Sequence, residues 1–151
     1  EGSVTSLHSL LVFLHVLSVS AWIAAALWVA GDVKRTLGLG RPHLDALAAR
    51  IRPALGLDAA AGIAAIITGS LLVWEERLGM PRLGITAGIV LALLRLGILA
   101  AMRRAWRGLL GRIQAGEAVA AGDPAARRMS MLSGIAHTLW LLALAGMVFP
   151  V

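Results

Sequence analysis

Four ionisable residues stand inside long apolar runs of this sequence: His15, Asp58, Arg95 and His137. A charge or an imidazole at membrane depth is costly and asks for a partner or a role. Histidine is the usual axial ligand of haem iron in helical bundles, and imidazole also binds copper. Trp22 and Trp140 add two indoles at similar depth, either as packing or as walls of a cofactor site. Each residue also has a plainer reading. His15 can be a neutral histidine hydrogen-bonded across the bundle, and Ser133, one turn away, can satisfy His137. Arg95 can neutralise Asp58, giving a structural charge pair. No catalytic residue is assigned. His8 and His43 read as solvated, and Glu75-Glu76 as a charge pair at a helix end.

The elements that must position these residues are four apolar runs at about 7–30, 54–74, 84–102 and 131–149. Each is near the ~20 residues that cross a bilayer, and none alternates like a barrel strand. The expected fold is all-α: one domain over 1–151, an integral membrane four-helix bundle. Composition agrees. Of 151 residues, 59% are hydrophobic before the 17 glycines are counted, against roughly 45–50% with glycine in soluble domains. The absence of cysteine excludes disulfides, thiolate metal sites and thiol catalysis. The first run is too long to be a cleaved signal peptide. Glu1-Gly2-Ser3 is set aside as a possible processing remnant.

Net charge is +6, carried by 14 basic residues. Lys34, Arg35, Arg41, Arg50 and Arg52 lie in the 31–53 connection, and Arg103, Arg104, Arg107, Arg112, Arg127 and Arg128 in 103–128. The turn between the second and third runs holds only Arg77 and Arg82. The positive-inside rule then places both connections in the cytoplasm and both termini outside. This accounts for the basic character without nucleic acid, and adds an expected contact with anionic headgroups. The expected location is the bacterial inner (cytoplasmic) membrane, multi-pass. Partners are the lipid bilayer and a membrane redox protein or a second copy of the chain. Pro53 is expected to open the second helix, Pro81 to mark the outer turn, Gly122-Asp123-Pro124 to break the second connection, and Pro150 to end the last helix. Trp28, Trp74 and Trp106 fall where indoles meet headgroups. The absence of proline from 103–121 predicts that the third helix runs on past the bilayer.

Faces are set by spacing. His8, His15 and Trp22 recur every seven residues on the first helix, and Asp58, Gly62 and Gly69 share a face of the second. Glycine at such positions allows close helix approach, as does Gly84-x-x-x-Gly88. On a rise of about 1.5 Å per residue, His15 and His137 differ in depth by about 10 Å. That separation argues against one iron held by both.

The segment Leu14-His15-Val16-Leu17-Ser18-Val19-Ser20-Ala21-Trp22 resembles the opening helix of two groups of small bacterial membrane proteins. These are the copper-resistance-D-like and the protoporphyrinogen-oxidase-like families. Ile67-Thr68-Gly69-Ser70-Leu71 is similar to their second helix, and Arg95-Leu96 stands where the oxidase-like family has Lys-Leu. The resemblance covers the first three helices. It implies a haem b site with His15 as axial ligand and a role in membrane electron transfer or porphyrin-linked redox chemistry. His137, Arg95, Trp22 and Trp140 complete the expected cofactor set, Arg95 by pairing with a propionate. Whether such a protein is an oxidoreductase stays open. The alternatives are copper handling through His15 and His137, and a structural or assembly subunit. Met80, Met102, Met129, Met131 and Met147 form no Met-x-x-Met ladder of the kind copper(I) favours.

Overall fold

A computed structural model describes residues 2–75, 83–120 and 122–148. Among them there is no strand, and the chain is an all-α bundle. Helix α1 spans Gly2–Leu27, α2 Val29–Thr36, α3 His43–Glu75, α4 Leu83–Gln114 and α5 Pro124–Val148; a short 3-10 turn, Leu37–Leu39, follows α2. Helices α1, α3, α4 and α5 are long and apolar enough to cross a membrane. Their outward faces carry large apolar side chains such as Phe13, Leu17, Ile67, Leu93 and Leu141, as contact with lipid tails requires. The expected turn holding Glu76, Arg77, Pro81 and Arg82, and the stop at Pro150, lie outside the described residues.

The connections are more ordered than the sequence reading implies. Most of 31–53 is helical, and Pro53 lies inside α3 rather than opening it. The buried stripe explains the override: Leu44, Leu47, Ile51, Ala54, Leu55, Asp58, Ala61 and Ala65 step by three or four residues straight through the proline. Pro53 denies a hydrogen bond to the carbonyl of Ala49, but both residues lie on the exposed face, so that carbonyl is not stranded in the core. Helix α4 runs on to Gln114, as the lack of proline predicted. It stops at Gly116, whose φ of 79° is left-handed. The Glu117 and Gly116 amides bond back to the carbonyls of Arg112 and Ile113, which closes the helix end.

The end of the bundle carrying 31–53 and 103–128, the basic end, is closely packed. Val33, Leu47, Ile51, Leu109 and Met129 are fully buried there. Trp106 belongs to this core at 3% exposure, which corrects its placement as an interfacial indole. Trp28 and Trp74 are exposed. Asp123 caps α5: its Oδ1 accepts the Ala125 amide at 2.8 Å, and its Oδ2 pairs with Arg112 at 2.6 Å. Burial pushes this carboxyl up, but the Ala125 amide and the Arg112 guanidinium outweigh it and hold the carboxyl below the usual range. The stabilisation is therefore present above that range and lost as pH falls through the lowered value. Asp123→Ala should cost about 1 kcal/mol near neutral pH. In acid its stability should converge on that of the unmodified protein, as read by unfolding in detergent at stepped pH.

Toward the opposite end the helices separate into two close antiparallel pairs, α1 with α3 and α4 with α5. Glycines set both approaches. A Cβ on Gly62 would lie 2.6 Å from the Trp22 ring, and one on Gly69 would lie 3.0 Å from His15 Cε1. The seven-residue step from His15 to Trp22 thus meets the seven-residue step from Gly69 to Gly62, in antiparallel register. In the second pair, a Cβ on Gly84 would run into the Gly146 carbonyl. Gly62→Ala should destabilise the bundle by roughly 1–3 kcal/mol through forced displacement of the indole. Gly97→Ala, in open space on α4, is the neutral control in the same thermal unfolding assay.

Candidate functional site

The gap between the two helix pairs forms a cavity of about 610 Å³. Pockets for cofactor-sized ligands run from about 300 to 1,000 Å³. Helices α1 and α3 supply one wall with His15, Val19, Trp22, Ala65 and Gly69; α4 and α5 supply the other with Ile85, Ile89, Ala92, Trp140, Ala143 and Leu144. The small residues leave the space and the indoles give it flat sides. Among the described residues, no charged side chain lines it.

His15 is held in one orientation. Its Nδ1 lies 3.1 Å from the Ala65 carbonyl and 3.0 Å from Thr68 Oγ1. The carbonyl can only accept. The Thr68 hydroxyl donates its hydrogen to the Ala64 carbonyl at 2.7 Å, so it too accepts from the ring. Both neighbours assign the proton to Nδ1. The lone pair is then on Nε2, which has no hydrogen-bond partner among the described residues. A histidine fixed through Nδ1–H to a carbonyl and free at Nε2 is prepared to bind a metal.

One turn of α4 from Ala92, toward the basic end, lies a separate charged cluster. Arg95 Nη1 pairs with Asp58 Oδ1 at 3.1 Å, and the two residues are 2% and 4% exposed. Arg95 also donates to the Trp22 carbonyl at 3.4 Å, and its guanidinium carbon lies 4.2 Å from the centre of a Trp22 ring. This stacking adds a cation–π attraction in a water-poor site. Trp22 has one role on each side, as a wall of the cavity and as the cover of the charge pair. Nearby, Arg103 donates to the Leu55 carbonyl.

His137, on α5, lies within electrostatic range of Asp58. Its Nδ1 lies 2.6 Å from the Ser133 carbonyl, to which it donates, and its Nε2 is buried without a partner. Neither His137 nor Arg95 lines the cavity. The levels of Thr68 and Asp58 are ten residues apart on α3, about 15 Å along its axis. The structure therefore gathers His15, Trp22 and Trp140 at one cavity and sets His137 and Arg95 apart from it. Arg95 is turned to Asp58 and Trp22, so the expected propionate contact is not laid out in the cavity.

His8 pairs with Glu75 at 3.2 Å, joining α1 to α3 beyond the cavity, and His43 is exposed at the start of α3. The residues that sequence reasoning passed over are Thr68 and Ala65, the acceptors that orient His15. Thr68 was flagged only as half of a Thr-Gly pair, and a backbone carbonyl leaves no mark in a sequence.

No protein-family model matches this chain, and no curated protein or solved structure is similar to it.

Proposed function

We propose that this chain is a multi-pass membrane protein that binds one b-type haem, with His15 as the axial ligand. The observation that carries the reading is the His15 ring, which lines a cofactor-sized apolar cavity, is tied through Nδ1 to Ala65 and Thr68, and has no hydrogen-bond partner at Nε2 among the described residues. The residues fit the group. Trp22 and Trp140 offer flat apolar surfaces, and Gly69 leaves room for the imidazole between helices. The described lining carries no charge, so the propionates of a bound haem would be met by groups outside it, such as headgroups or water. When bound, the haem supplies one-electron iron redox chemistry. The chain's own residues fix the imidazole, keep water from its face, and hold the Asp58–Arg95 pair behind Trp22. The electron partner is a protein or lipid-soluble carrier of the same membrane.

Copper handling is less well supported. Among the described residues there is no cluster of three or more His, Cys, Asp or Glu side chains, and His15 and His137 do not share a cavity. The test is an optical spectrum of the detergent-purified protein expressed with haem supply. A Soret band, with α and β bands on reduction and one haem per chain, is the expected result. A colourless protein that binds copper would select metal handling. One that binds neither would select a structural subunit.

The same reading places both termini outside, with 31–53 and 103–128 in the cytoplasm of a bacterial inner membrane, on the excess of basic residues in those segments. Because the chain has no cysteine, Gly38→Cys and Ala118→Cys each create a single labelling site. A membrane-impermeant maleimide should reach them only after the cells are opened. Labelling in intact cells would invert the topology.

A further inference from the structure

We infer that His15 is the one protein ligand the cavity supplies among the described residues, and that the wall facing it leaves a position open to a small uncharged diatomic molecule. The inference rests on the haem reading above and says how that site is used. Axial ligation of haem iron comes from His, Met, Cys or Tyr side chains. The chain contains no Cys and no Tyr. Among the described residues the α4–α5 wall is Ile85, Ile89, Ala92, Trp140, Ala143 and Leu144, none of which binds iron, and no described methionine lines the cavity. Ser20 and Ser70, the cavity's hydroxyls, belong to the α1–α3 side that carries His15 itself.

His137 is the one other intramembrane histidine, and it is engaged elsewhere. Its Nδ1 is held by the Ser133 carbonyl on its own helix, its Nε2 is buried without a partner, and the residue does not line the cavity. Turning it inward would break the bond to Ser133. Among the described residues the facing wall is therefore apolar, with Trp140 as the one side chain able to form a hydrogen bond. Such a surface excludes anions and water but admits a neutral diatomic, for which lateral access from lipid is sufficient. The chemical class is carbon monoxide, nitric oxide or dioxygen, and carbon monoxide is the probe because it binds ferrous iron without electron transfer.

The experiment adds carbon monoxide to the reduced, haem-loaded protein in detergent and follows the Soret band. Before addition the spectrum should be that of a five-coordinate, high-spin iron. Addition should shift the band fully, at one carbon monoxide per haem. His137→Ala and His137→Gln should give the same spectra as the unmodified protein before and after addition. A low-spin spectrum that carbon monoxide does not change would overturn the inference while leaving the haem reading intact. So would a change from low to high spin in either His137 variant. A chain that takes up no haem would remove both.

Discussion

Asp58→Asn should lower the stability of the detergent-solubilised protein by about 3–5 kcal/mol, because it leaves the Arg95 guanidinium in the bundle interior with no opposite charge. The geometry makes the effect large. Both residues are under 5% exposed, their nearest atoms are 3.1 Å apart, and Arg95 Nε already has no partner. Arg95→Leu should cost a similar amount through the stranded carboxylate and the lost stack on Trp22. The double variant removes both charges and should be more stable than the two single losses added together. A thermodynamic cycle from unfolding in one detergent reads the coupling. Strictly additive losses would mean that the two residues are not energetic partners.

That pair was legible in the sequence because its members are the two charges that an apolar run cannot accommodate alone. The two faces along which α1 meets α3 were legible for a similar reason, though not that they meet each other. Two seven-residue steps, His15 to Trp22 and Gly62 to Gly69, match knobs with gaps, and small residues in apolar helices mark close approach. The basic end was read less well. Lys34, Arg35, Arg50 and Arg52 give 31–53 the composition of a solvated connection. Yet Val33, Leu37, Leu44, Leu47 and Ile51 are buried, because α2 and the first turns of α3 fold back onto α4 and α5. Burial of that kind depends on which helices meet, and local composition does not report it. Trp106 was misplaced on the same ground: an indole near the end of an apolar run looks interfacial until α2 and the start of α3 are seen to pack into one core with it.

The site was legible in part. Depth alone separated His15 from His137, and the structure sets them at different levels of the bundle. The proton position on His15 needed coordinates, since it follows from a threonine hydroxyl and a backbone carbonyl on another helix. Trp22 illustrates the limit further. Packing and cofactor wall were weighed as alternatives for it, and the structure places the one side chain on the cavity and over Arg95 at once.

His15→Ala should abolish haem binding while leaving the bundle folded. Alanine keeps full helix propensity, and the bond lost to the α3 acceptors is worth about 1 kcal/mol. Thr68 keeps its bond to the Ala64 carbonyl, so no buried hydroxyl is stranded. Gly69 then faces empty space where the ring stood, so the variant enlarges the cavity rather than closing it. Any loss of cofactor is therefore due to the missing Nε2. His8→Ala and His43→Ala change histidines outside the cavity and serve as controls for handling and expression. The decisive measurement is haem per chain, from the pyridine haemochrome of the purified unmodified protein and these three variants at equal recovery. The account predicts about one haem for the unmodified protein, His8→Ala and His43→Ala, and less than a tenth of that for His15→Ala. A normal Soret band at full occupancy in His15→Ala would contradict it.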